Sequence, residues 1–387
     1  MRVPLADPQA IAQILRLLVG ILVCALMLRT WLVLGLIEPV TVAGSSMAPT
    51  LRGPHIGVAC ERCGNRFDIG AENLTSDVEC LGCGYTENSV EGLPVDRGDF
   101  LVINRMAFAG RMPRRWEPVV FRSPDDGELT VKRVVGLPGE TIQLRGGDVL
   151  VDGQVVTKSL AELRALRQVI HVESRDARRW RASDENACGW HSGSWQITAR
   201  DGAECELVYE HLAGAAITND SAYNGGLSRR VFPVRDFGLS VKIGSPGDWQ
   251  MTLGFDNGGD PLFWNIEDTG DRLLEVFAFD RRVQIFLDGR SIAESALDAE
   301  AVIKPTARPF SLSVLQSHVE LRELTIYGDI YHASEAEQIG SPVPMRPVKL
   351  CPAEIYVLGD NEAVSLDSRR WGPVLLRLLV GKPVGVR

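Results

Sequence analysis

Four cysteines and one serine segment carry the chemistry most open to reading in this chain of 387 residues. Cys60, Cys63, Cys80 and Cys83 make two Cys-x-x-Cys pairs separated by sixteen residues, with Gly64 and Gly84 directly after each pair. A glycine there lets the backbone turn tightly enough for both thiolates to face one tetrahedral ion, the pattern of a zinc ribbon. Four thiolates leave no coordination position for water, so such a zinc is structural and metal catalysis is not expected. Two disulfides are the competing reading, favoured by an oxidising compartment. The serines lie in VTVAGSSMAPTLR, residues 40–52, an extended small-residue segment in which Pro49 excludes a helix. None of the six histidines, His55, His171, His191, His211, His318 and His332, sits in a triad motif, so a serine nucleophile here needs another base.

Four ordered motifs supply one. Gly44-Ser45-Ser46-Met47-Ala48-Pro49-Thr50-Leu51 is followed by Arg97-Gly98-Asp99-Phe100-Leu101-Val102, then by Val131-Lys132-Arg133-Val134-Val135-Gly136-Leu137-Pro138-Gly139-Glu140. The fourth is Gly359-Asp360-Asn361-Glu362-Ala363-Val364-Ser365-Leu366-Asp367-Ser368-Arg369. In this order, behind a long apolar run, they resemble the type I signal peptidases, membrane-anchored proteases with a Ser-Lys dyad on a LexA-like β fold. The resemblance covers the anchor and about 42–51, 97–157 and 354–384, less than half of the chain. It implies that Ser46, the serine before methionine, is the nucleophile and Lys132 the general base. It also implies that Ser365 orients the amine while Asp367 and Arg369 hold the closing motif. Many members carry a serine two residues before the nucleophile, where this chain has Gly44, which leaves the second oxyanion donor to a glycine N–H or to nothing. Glu362 stands where an arginine is common, and the sequence assigns it no role.

A free lysine has a pKa near 10.4, so at pH 7 only about one amine in a few thousand is neutral and able to take a proton. Burial disfavours the ammonium and lowers that pKa. Val131, Val134 and Val135 are the expected apolar walls.

The elements that must position these groups follow from pattern. Ile11 to Ile37 is apolar except for Gln13, Arg16, Arg29 and Thr30, long enough to cross a bilayer from about Ala10 to Leu28 with the two arginines at its interfaces. A buried core helix is disfavoured, because the apolar residues surround every side. No Ala-x-Ala site follows the run, so it reads as an uncleaved anchor. From Asp99 onward DFLVINRMAF, PVVFRSP, LTVKRVVGLPG and TIQLRGGDVLVDGQVV read as strands, with Gly146-Gly147 and Asp152-Gly153 as turns. SLAELRALRQ reads as a short helix over 159–168. Residues 169–332 hold many short β-type runs separated by Gly, Asp and Asn, the mark of a sandwich, and Val283-Gln284-Ile285-Phe286-Leu287-Asp288-Gly289 resembles a strand-turn element of concanavalin-like jelly rolls. Five tryptophans fall there, Trp180, Trp190, Trp195, Trp249 and Trp264, with core filling preferred over an exposed stacking surface. Cys188, Cys205 and Cys351 are left uncommitted, though Cys188 with Cys205 could bridge within it. EIYVLGDN returns as a final strand, and VLLRLLV at 374–380 reads as a core strand.

The expected fold is therefore mainly β: an N-terminal tail and transmembrane anchor over 1–39, and a catalytic domain over 40–157 and 341–387. A zinc ribbon is inserted over 54–96 and a β-sandwich over 169–332. The 50 acidic against 41 basic residues give a formal charge of −9, which repels phosphate backbones and excludes nucleic acid as a partner. The resemblance implies cleavage of signal peptides from preproteins at the outer face of the cell membrane, with the tail in the cytoplasm. The ribbon would lie near the cleft, within reach of substrate or the translocation machinery. Two other readings stand beside it: a catalytically impaired membrane-anchored protein that displays the sandwich for binding, and a self-cleaving LexA-like regulator, disfavoured by the span and the missing basic segment.

Overall fold

Short apolar, β-branched runs through residues 97–136, FLVIN, PVVFR and LTVKRVVG, build strands largely buried in the interior. In the computed structural model, which describes residues 8–30, 35–72, 74–198, 205–245, 249–255, 262–266, 270–297, 305–315, 318–341 and 345–385, these strands join a seven-stranded antiparallel sheet. Its order is Ile37–Thr41, Phe100–Asn104, Leu379–Gly385, Pro118–Arg122, Leu129–Gly136, Glu354–Leu358 and Val374–Leu375. Val119 lies opposite Lys132 and Val357 opposite Val134. Val119, Phe121, Val134, Ile355, Val357 and Val374 pack as one cluster, each without measurable exposure. Val135 belongs to a different cluster, with Ile142, Leu144, Tyr356 and Leu358. A smaller sheet, Gln154–Val155, Asp148–Val151, Thr141–Arg145 and Val348–Lys349, adjoins it.

The N-terminal helix runs from Pro8 to Thr30. Ala12–Thr30 has a mean hydropathy of 2.0 and none of it is buried against the protein, so it is no core helix. By length and composition it is able to cross a membrane. Ile37 already lies in the edge strand of the sheet.

Ser159 starts the expected short helix, Leu160–Leu166, in a capping box with Glu162. From Gln168 to Gly328 the chain forms two sheets that share one core. Leu239, Val241 and Ile243 come from the eight-stranded sheet, and Leu207, Leu253 and Leu312 from the five-stranded one. Cys188 and Cys205 are joined as a disulfide, their Cα atoms 6.4 Å apart. Trp180 and Trp195 fill the core, at 2% and 5% exposure, and Trp190 packs against it. The side chains of Trp249 and Trp264 lie outside the described residues.

VLLRLLV is not one strand. Val374–Leu375 pairs with Glu354–Leu358, a 3-10 turn follows at Leu376–Leu378, and Leu379–Gly385 pairs with Phe100–Asn104 and Pro118–Arg122. One apolar run serves two places in the sheet, which a single strand could not reach.

Candidate active site

Lys132 sits mid-strand in the centre of the seven-stranded sheet, at 2% exposure. Side chains alternate across a strand, so Lys132 shares its face with Val134 and with Val119 opposite, while Val131 and Val135 point to the other face. Of the three valines expected to wall the amine, only Val134 does so. Burial, the largest influence, pushes the Lys132 amine down from 10.5 to about 8, against the opposing pull of the Asp367 charge. About one amine in ten is then neutral at pH 7, instead of about one in three thousand.

The partner of that amine is 86 residues away. Lys132 Nζ donates to Ser46 Oγ, and Ser46 is half-buried in the turn that follows the edge strand. Among the described residues no backbone acceptor takes the Ser46 N–H, which leaves it available to an oxyanion. Gly44 is exposed, and a Cβ added to it would meet nothing within 4 Å.

The closing motif packs directly against Ser46. A Cβ on Gly359 would fall 2.1 Å from Ser365 Oγ and 2.5 Å from the Ser46 carbonyl oxygen, so only glycine permits this approach. Asp367 is fully buried. Its carboxylate accepts from Ser365 Oγ at 2.7 Å, Gly359 N–H at 3.0 Å and Arg369 Nε at 2.8 Å. Burial alone would raise its pKa, but the Arg369 guanidinium and these donors hold it below the usual carboxylate value. Ser365 therefore hydrogen-bonds Asp367, one step from the amine it was expected to orient. Arg369 also donates to the Ala333 carbonyl at 2.9 Å.

Three groups were not singled out from sequence. Arg133 forms a two-bonded buried pair with Asp360 and donates to the Trp116 carbonyl. Asn361 N–H donates to the Ser46 carbonyl at 3.0 Å, and its side-chain Nδ2 to the Ser45 carbonyl at 3.1 Å. Ser45 Oγ donates to Glu72 Oε1 at 2.9 Å. The one available signal was an arginine inside a valine-rich strand, which demands a buried anion. Glu362, left without a role, accepts from Asn219 Nδ2 at 3.3 Å and Gln338 Nε2 at 2.7 Å.

At the cysteines, Cys60 Sγ and Cys83 Sγ are 3.5 Å apart and Cys63 Sγ and Cys80 Sγ 3.8 Å, and all four sulfurs lie within 4.8 Å of one another. Zinc–sulfur bonds of about 2.3 Å place tetrahedral sulfurs about 3.8 Å apart, so the cluster suits a metal ion, while a disulfide requires about 2.05 Å. Gly64 and Gly84 take φ of 70° and 76°, and their N–H groups donate back to the Cys60 and Cys80 carbonyls.

Residues 87–194 and 283–386, just over half of the chain, match the family described as signal peptidase, peptidase S26. The chain belongs to that family. The peptidase S26 match begins after the Ser46 segment and omits 195–282. Among curated signal peptidases, the chain is 28% identical over 111 residues to signal peptidase I V of Bacillus subtilis, covering 27% of this chain and 66% of that one. It is 39% identical over 64 residues to signal peptidase I of Leptolyngbya laminosa, covering 14% and 32%. The chain thus spans between about a third and two thirds of the length of these two relatives. A carbohydrate-binding module of Bacillus subtilis aligns with 38% of this chain and 94% of its own at 15% identity, but at a TM-score of 0.24 that likeness carries no argument.

Proposed function

We propose that this chain is a signal peptidase in activity as well as in family: a membrane-anchored serine endopeptidase that removes signal peptides from preproteins. The observation that carries the reading is the buried Lys132 amine bonded to Ser46 Oγ. Neutral Lys132 takes the Ser46 proton as Oγ attacks the scissile carbonyl carbon. The resulting ammonium returns that proton to the leaving amine as the peptide bond breaks. Water, deprotonated by the same lysine, then hydrolyses the ester and frees Ser46. The Ser46 N–H is the first oxyanion donor, and Gly44 supplies no side-chain donor. Asp367, pinned by Arg369, anchors Ser365 and Gly359 beneath the nucleophile.

On this reading the apolar helix anchors the chain in the cell membrane, with the catalytic part on the extracytoplasmic side where signal peptides emerge; the Cys188–Cys205 bond supports such a compartment. Residues 40–157 and 341–387 form the catalytic domain behind the 1–39 tail and anchor. Residues 54–96 form a ribbon whose four thiolates would hold a structural zinc, a metal that gives this small lobe the stability its core of five buried aliphatics lacks. Residues 169–332 form a jelly-roll-like sandwich.

The test is cleavage of a preprotein by the detergent-solubilised full chain, compared with Ser46→Ala and Lys132→Ala. Correct cleavage by the wild type alone supports the proposal; equal inactivity of all three assigns the chain to binding instead.

A further inference from the structure

Ser45 and Ser46 lie in a turn between the strands Ile37–Thr41 and His55–Ala59, so no ladder of backbone hydrogen bonds fixes them. The Ser46 carbonyl accepts from Asn361 N–H, and the Ser45 carbonyl accepts from Asn361 Nδ2 as well as from Ala48 N–H within the turn. A side-chain amide has a donor end and an acceptor end, and its other neighbours decide which end faces the serine turn. Here the neighbour is Asn224. Asn224 Nδ2 donates to Asn361 Oδ1 at 2.9 Å, and Asn361 Nδ2 donates to Asn224 Oδ1 at 2.8 Å. The two amides form a closed pair at 7% and 5% exposure.

Asn224 ends a 3-10 turn, Ala222–Asn224, in the stretch that the family match omits. The same turn is braced on the ribbon side, since a Cβ on Gly70 would lie 3.0 Å from the Tyr223 ring. Glu362, next to Asn361, is tied to Asn219 and Gln338 of the same neighbourhood. Residues 219–224 therefore reach Ser46 by way of the buried Asn224–Asn361 amide pair, and Tyr223 of the same turn lies beside Ser45.

We propose that Asn224 is a positioning residue for Ser46, acting through Asn361; this rests on the proposed peptidase activity. Truncating Asn224 leaves Asn361 Oδ1 without its buried donor, and the amide that faces Ser45 is free to rotate. A nucleophile displaced by about 1 Å loses on the order of 10²-fold in rate. Because the side-chain hydrogen bonds of Asn224 go to Asn361, its effect is expected on the placement of Ser46 and so on kcat more than on KM.

The experiment measures kcat and KM of the full detergent-solubilised chain on one preprotein for wild type, Asn224→Ala, Asn224→Asp and Ser46→Ala, with thermal unfolding of each. Asn224→Ala is expected to lower kcat roughly ten- to a hundredfold with KM changed less than about twofold. Asn224→Asp keeps the shape and the acceptor for Asn361 Nδ2, so its kcat falls between the two. Should Asn224→Ala fail to fold, the isosteric variant decides alone by the same split. A raised KM at unchanged kcat, or wild-type values for both variants, overturns the proposal while leaving the peptidase reading intact. If Ser46→Ala cleaves as fast as wild type, that reading falls and this inference falls with it.

Discussion

Arg133 and Asp360 form a two-bonded ion pair with side chains only 4% and 0% exposed, and it ties the strand that carries Lys132 to the loop that carries Asn361. Adjacent strand residues face opposite ways, so the same strand offers one basic side chain to Ser46 and the next to its own anchorage.

Asp360→Ala leaves the guanidinium buried and unpaired, which costs about 3–5 kcal/mol of stability. Denaturant unfolding of the variant checks this. A loss under about 1 kcal/mol would show that the pair holds nothing together.

Cleavage depends on the deprotonated amine, so kcat/KM rises with pH and levels off above the Lys132 pKa of about 8. A profile on one preprotein between pH 6 and roughly 10 reads it directly. An acid limb centred below about 6 would point to a different base.

The same burial makes Lys132 a destabilising residue at neutral pH. Its folded pKa lies below the unfolded value, so the fold opposes the ammonium below about pH 8, less so as pH climbs towards 10.5, and not above it. Lys132→Met, which carries no charge, is expected to abolish cleavage yet to be more stable than wild type at pH 7 by roughly 2 kcal/mol, after loss of the Ser46 hydrogen bond. That advantage shrinks between pH 8 and 10.5. Unfolding at two pH values tests it, and an advantage that grew with pH would contradict the sign.

Open space around Gly44 allows a side chain there. Gly44→Ser supplies a hydroxyl donor to the oxyanion and is expected to raise kcat by about tenfold, since one such donor is worth on the order of 10²-fold where it is well aimed. A kcat unchanged or lowered would mean that the second donor comes from elsewhere.

Metal content of purified protein should be about one zinc per chain, falling to none in Cys60→Ser/Cys80→Ser, with four new titratable thiols after chelation of the wild type. Metal-free protein in which, beyond the free Cys24 and Cys351, the ribbon thiols react only after reduction would establish disulfides instead.

Much of the catalytic lobe was legible. LTVKRVVG reads as a β-rich run, and its strand, Leu129–Gly136, carries Lys132 to the serine that the motif order singled out. The cysteine spacing alone foresaw both knuckle glycines. What stayed hidden depends on contacts between residues far apart in sequence. Arg133 and Asp360 are 227 residues apart, Asn224 and Asn361 137, and no local pattern records either pairing. Glu362 looked like a stray departure because its partners, Asn219 and Gln338, lie in parts of the chain that the motifs do not cover. The resemblance assigns Ser365 to the amine, while the bond its hydroxyl donates to Asp367 is a contact that no local pattern records.

The helix ends at Thr30 and the edge strand begins at Ile37, so six residues connect them. Such a leash spans at most ~20 Å when fully drawn out. On the proposed reading, with the helix in a bilayer, those six residues limit how far the sheet can stand from the lipid, so the depth at which a passing polypeptide would be cut is gauged from the lipid surface like a length against a ruler.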